Sequence, residues 1–164
     1  MGLDMYLNRH IYIGANYSDF NGVKGSIEIT KRNGRTGEDE PLPVHFNKVK
    51  YIIEEAGYWR KANQVHQWFV DNVQGGEDDC REYYVDTEKL EELLDLCKQI
   101  MHAYTEDKDK GVALAQELLP TQDGFFYGDT EYEEDYFIDI QDTITQLESA
   151  LEDKRGDLYY RSSW

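Results

Sequence analysis

The sequence predicts an α+β fold, a small antiparallel sheet (an N-terminal hairpin, with a C-terminal strand able to join it) packed against about five helices. Three observations carry this. Leu3, Met5, Leu7, Ile11 and Ile13 alternate with Asp4, Tyr6, Asn8, His10 and Tyr12, the period of a half-buried strand. Leu90, Leu93, Leu94, Cys97, Ile100, Met101 and Tyr104 recur at helical spacing opposite a charged face. Asp157 to Trp164 is rich in aromatics and suits a strand returning beside the first.

A second strand is expected from Lys24 to Thr30, reached through a loop containing Asn21-Gly22. Lys31 to Pro43 lacks periodicity and reads as a mobile surface loop. Val49, Ile52, Ile53 and Ala56 mark a first helix stopped by Gly57, and Ala62, Val65, Phe69 and Val73 mark a second from Trp59 to Val73. Arg81 to Val85 is aromatic and β-branched, hence a short strand. The clearest helix follows, with Asp86 or Thr87 as its N-cap and Cys97 in its core stripe. A shorter helix spans Gly111 to Leu118, and Thr121 to Asp129 is a short strand or a packed loop. A long last helix from Thr130 to Asp153 buries Tyr136, Phe137, Ile140, Ile144 and Leu147, with Gly156 ending it.

At 164 residues one domain over residues 1–164 is expected, large enough to bury an ordinary apolar core. Its 34 acidic against 17 basic residues give a net charge of −17, which opposes DNA, RNA and anionic membranes as direct partners. A hydrophobic fraction of 40% and an aromatic fraction of 13% exclude an unfolded polyanion. The charge is unevenly placed. Residues 1–75 hold nine acids and nine bases, whereas between Lys110 and Lys154 lie twelve carboxylates and no Lys or Arg.

Two cysteines do not make a disulfide framework, no basic and apolar leader opens the chain, and no run approaches the ~18 apolar residues of a membrane span. The expected setting is cytoplasmic. No cofactor and no metal are expected. His10, His45, His66 and His102 have no zinc spacing, and Asp123, Asp129, Glu131, Glu133, Glu134 and Asp135 do not match a calcium loop. Those acids instead complement the N-terminal dipole of the last helix, with Asp129 or Thr130 as its cap.

Catalytic signatures are missing: there is no phosphate loop, dinucleotide fingerprint or Gly-x-Ser-x-Gly elbow. Cys80 is flanked by Asp78 and Asp79, which disfavour an anionic nucleophile. An enzyme is therefore the weaker expectation, in the form of a nucleotide hydrolase with His66 or His10 as general base. More informative is the expected second helix, where Trp59, Asn63, His66 and Val70 fall on one line with Arg60 and Lys61 at its start. Such a line fits either the wall of a pocket that stacks a ring and binds phosphate, or a core in which Trp59 packs and Asn63 and His66 bond to backbone.

The opening Met1-Gly-Leu-Asp-Met-Tyr-Leu7, the segment Gly57-Tyr-Trp-Arg-Lys-Ala-Asn63, Asp78-Asp-Cys-Arg-Glu-Tyr-Tyr84 and Leu118-Leu-Pro-Thr-Gln-Asp-Gly-Phe-Phe126 together resemble an uncharacterised family of small acidic proteins encoded by phages and prophages. The resemblance implies a role in the cytoplasm of a host cell, counter-defence being a common one, and no particular reaction. Two binding functions follow as expectations. In the first, Trp59, Arg60, Lys61, Asn63 and His66 sequester a small nucleotide-like immune signal. In the second, the acidic half, through Glu133, Glu134, Asp139 and Asp142, mimics nucleic acid and inhibits a host defence or nucleic-acid-processing protein; homo-oligomerisation is open in both.

Overall fold

The computed structural model describes residues 2–13, 29–42 and 48–164. They form two compact units, one up to His10 and from Ile53 onward, the other Ile11–Ile52. In chain order the elements are β1 (Asp4–Tyr12), β2 (Thr30–Arg32), β3 (Asp39–Pro41), β4 (Tyr51–Arg60), α1 (Asn63–Asn72), β5 (Tyr83–Val85), α2 (Thr87–Glu106), α3 (Lys108–Leu118), α4 (Glu134–Glu152) and β6 (Asp157–Ser163). The architecture is α+β, with four helices among the described residues where about five were expected.

The main sheet has the order β4-β1-β6-β5. β6 is antiparallel to both neighbours, in a register that sets Tyr6 opposite Arg161 and Leu7 opposite Tyr160. The C-terminal strand thus lies beside the first, as its composition suggests. The N-terminal hairpin does not form as expected, because β1 lies between β4 and β6. Of the strand expected at 24–30, residues 24–28 lie outside the described residues; Thr30 opens β2, which pairs with β3 in a separate hairpin. The segment read as a mobile loop therefore holds two short strands. Asn33 organises their connection, its side chain accepting from the Arg35 and Thr36 amides.

The largest departure concerns residues 49–61. They are strand β4 rather than two helices: Tyr51, Ile53 and Glu55 are exposed while Ile52, Glu54 and Ala56 are half-buried. The alternation changes phase at Gly57, which is buried, so that Trp59 is buried between exposed Tyr58 and Arg60. A Cβ on Gly57 would lie 3.1 Å from Gln146 Oε1, so the close approach of β4 to α4 needs this glycine. Lys61 then adopts φ 63°, a turn that separates the strand from α1.

Alternation on the sheet directs Met5 and Leu7 of β1, Leu158 and Tyr160 of β6 and Val85 of β5 into one core. Phe69 of α1 stacks on Tyr160 at 3.9 Å, and Tyr104 of α2 stacks on Phe137 of α4 at 3.6 Å. α2 packs on both α3 and α4. α2 and α3 are separated only by Asp107, whose carboxylate caps α3 by accepting from the Asp109 amide at 3.0 Å. α4 starts at Glu134 rather than Thr130, with Glu134 and Asp135 in its first turn. Asp129 is not its cap, since its side chain accepts from the Glu131 amide. At the other end Arg9, buried in β1, donates to Ala150 O at 2.6 Å and Arg155 O at 2.9 Å, satisfying carbonyls at the end of α4.

Candidate functional site

The residues expected on one helix face divide between a strand, a turn and a helix. Trp59 and Arg60 belong to β4 and point to opposite faces, Lys61 is the turn, and Asn63 and His66 lie on α1. Trp59 is 3% exposed and its indole N–H donates to Thr143 Oγ1 at 2.9 Å, which places the ring in the core against α4. His66 is fully buried. Its Nδ1 meets the Tyr160 hydroxyl at 2.7 Å and its Nε2 meets Asp78 Oδ2 at 3.0 Å, so both ring nitrogens are engaged. With Nε2–H donating to the carboxylate and Tyr160 O–H donating to Nδ1, every group in the chain of bonds is satisfied.

Asp78 is the hub of that network. It also accepts from the Tyr127 hydroxyl and, at 3.1 Å, from the Trp164 indole. Partial burial pushes its carboxyl up, but hydrogen bonds from Tyr127, His66 and Trp164 outweigh this and hold it below the usual carboxylate range. Burial, reinforced by that carboxylate, pushes the Tyr127 phenol up, keeping it a donor.

Asn63 does a comparable task for the segment between α3 and α4. Its amide donates to Tyr127 O at 3.2 Å and Asp129 O at 2.8 Å, while its Oδ1 accepts from the Gln122 amide at 2.8 Å. Thr121 closes the base of the loop by donating to Thr130 O. Residues 121–129 are accordingly a packed loop, with a turn at its tip where the Tyr127 amide meets Gly124 O. Gly124 fits beneath the Tyr127 ring, where a Cβ would come within 2.8 Å of it, and Gly128 takes φ 94° beside Lys61.

Between this loop, the start of α1 and the start of α4 lies a cleft of about 390 Å³. Arg60, Lys61 and Asn63 reach it; Trp59 and His66 do not. The opposite wall carries Asp129, Glu131, Glu133, Asp135 and Asp139, so five carboxylates face two cations. One of those cations is shared, since Arg60 lies 3.5 Å from Asp4. Among the described residues none of the five has an ion-pair partner. Asp139 is the most enclosed. Burial, with smaller contributions from Asp142 and Asp135, pushes its carboxyl up to about 6 against the opposing bond from Gln64. A field of this sign favours a cationic group in the cleft and opposes a phosphate.

Of the residues expected for an acidic protein-binding face, Glu133 and Asp139 line the cleft, and Glu134 and Asp142 are exposed beside them on α4. Gln64, Asp129, Glu131 and Asp135 complete the site. The density of acids from Asp129 to Asp135 is visible in the sequence, but the meeting of that segment with β4 and α1 is not.

The other chemical candidates are separated from the cleft. His10 stacks on Tyr159 at 4.3 Å, with Nε2 3.4 Å from Glu82. Cys97 is fully buried, its thiol pushed up by burial to about 12. Cys80 is exposed in a turn at φ 59°. Among the described residues no group of three His, Cys, Asp or Glu could hold a metal ion, and no helix is long and apolar enough to cross a membrane.

No protein-family model matches this chain, and no curated protein or solved structure matches it, so its function is argued from its own geometry.

Proposed function

We propose that this protein is a non-enzymatic binding protein that engages a basic surface of another protein through the acidic cleft and the exposed face of α4, as an inhibitor that takes the place of nucleic acid. The resemblance to phage-encoded proteins makes a host defence or nucleic-acid-processing protein the class of partner, and counter-defence the role. The observation that supports this is the cleft wall of five carboxylates without ion-pair partners among the described residues. Leaving like charges unneutralised costs stability through self-repulsion, and a basic groove would relieve it.

Affinity capture from host extract, with each captured protein identified, then purified and titrated, tests this. The expected partner binds less tightly as salt rises, is displaced by duplex DNA, and is lost to Glu133→Lys, Glu134→Lys, Asp139→Asn and Asp142→Lys combined. Undiminished binding by that variant refutes the proposal.

Sequestration of a small nucleotide is the second reading, supported by Arg60, Lys61 and Asn63 on the same cleft. It loses the stacking ring and the imidazole, because Trp59 and His66 are buried. Calorimetry with cyclic dinucleotides and ADP-ribose derivatives decides it: binding abolished by Arg60→Ala with Lys61→Ala establishes this reading in place of the first. Turnover of any of these nucleotides would establish a hydrolase instead.

A further inference from the structure

Phe125 is 96% exposed, an unusual position for a phenylalanine in a well-packed loop. It stands at the tip of the Gly124–Tyr127 turn, edge-on to Phe126 at 4.9 Å, and Phe126 in turn stacks with Trp164, itself 45% exposed, at 6.5 Å. These rings form an apolar projection on an otherwise acidic region: Asp123 precedes it, and Asp129 and Glu131 follow, all exposed.

The turn beneath the rings is held from several directions. Tyr127 is anchored to Asp78, the Leu3 amide donates to Phe126 O at 3.0 Å, and Asn63 holds the carbonyls of Tyr127 and Asp129. Little conformational freedom remains to be lost there on association, which is the condition under which one aromatic side chain contributes most to binding.

We propose that the Gly124–Gly128 turn is a preorganised aromatic anchor, with Phe125 entering an apolar pocket on a partner protein whose rim is lined by Lys and Arg. The rim is assigned by charge complementarity with Asp123, Asp129 and Glu131. This rests on the acidic-surface reading above and adds the apolar half of the interface to it. A second copy of this chain is a poor occupant, because it would bring the same carboxylates against these.

The test places the photo-crosslinking residue p-benzoylphenylalanine at position 125 of the full chain, and at exposed Gln116 on α3 as the control. The protein crosslinked at 125 is identified, purified and titrated with the wild type, Phe125→Ala and Phe125→Trp. Expected are a crosslink specific to 125, binding that weakens with salt, a loss of about 30-fold or more for Phe125→Ala, near-full retention for Phe125→Trp, and unchanged thermal melts. The proposal is overturned by crosslinks only to lipid or to a second copy, by no product above the Gln116 control, or by equal affinity of Phe125→Ala. If Glu133→Lys with Glu134→Lys abolishes binding and Phe125→Ala does not, the anchor fails while the acidic surface stands. If Phe125→Ala abolishes it and the charge reversal has no effect, the basic rim is refuted.

Discussion

Replacing Asn63 by Leu should destabilise the protein by about 3 kcal/mol. The side chain is 1% exposed and makes three hydrogen bonds, two as donor and one as acceptor, all to backbone of the 121–129 loop. Each such bond contributes on the order of 1 kcal/mol net, and Leu has a similar volume, so a cavity adds little. For a chain of this size about 3 kcal/mol lowers Tm by roughly 6–12 °C. Asn63→Asp should be worse than Asn63→Leu at neutral pH, since a carboxylate oxygen would face the Tyr127 and Asp129 carbonyls. Thermal melts give the magnitude, and amide hydrogen exchange gives the place: the Gln122 and Leu3 amides should lose protection well beyond those of Leu93 and Leu94 in α2. A Tm within about 2 °C of wild type, or loss of protection spread evenly over the chain, would refute the assignment of Asn63 as the clamp of this loop.

Gly111→Ala should destabilise the fold by about 1–3 kcal/mol, although Gly to Ala within a helix normally stabilises it. The added Cβ would lie 2.4 Å from Tyr104 Cα, and chemical denaturation reads the sign. Arg9→Met should cost about 3 kcal/mol or more, because it strips two donors from carbonyls near the end of α4 and leaves Asp153 without its 3.4 Å partner; circular dichroism melts check it. Asp139→Asn should raise Tm at pH 7.5 and leave it unchanged near pH 3. The folded carboxyl is raised from 3.8 to about 6, so the folded state holds its proton more tightly; stability from this group is full below 3.8, falls as pH rises between the two values and is absent above them. Melts of both proteins across pH 3–8 give the difference curve, and a difference that grows as pH falls would contradict it.

The legible parts of the fold were those in which one period ran uninterrupted. Met5 and Leu7 alternate over β1, and the Leu90 to Ile100 stripe repeats through α2, so both elements could be read locally. β4 could not, because its alternation changes phase at Gly57 and leaves apolar residues at 49, 52, 53 and 56, a spacing that also fits a helix turn. The tyrosines and isoleucines of Tyr51–Trp59 were the contrary signal, since aromatic and β-branched residues favour strands.

The same error shaped the expected binding line. Once Trp59 is on a strand and Lys61 turns the chain, the residues after it start a new geometry, and Asn63 and His66 are placed by α1 alone. Their buried partners, Asp78, Tyr127 and Tyr160, are 12, 64 and 94 residues away in the pairs concerned, beyond the reach of local pattern. Residue types at Asn63 and His66 correctly announced a polar task; the task is holding the loop and the core rather than contacting a ligand. In the 124–128 turn the readable signal was two phenylalanines between glycines, a composition that an ordinary solvated loop does not carry.

The placement of β6 also governs how the molecule is made. α2, α3 and α4 are neighbours in sequence and can pack as soon as they emerge from the ribosome, whereas β1 keeps one edge unsatisfied until residues 157–163 arrive to fill the space between it and β5. During synthesis the helical layer therefore exists before the sheet it covers is complete. The exposed edges of β1 and β5 are the period of greatest risk of pairing with another nascent chain, and the time spent in that state is set by translation of everything between them and β6.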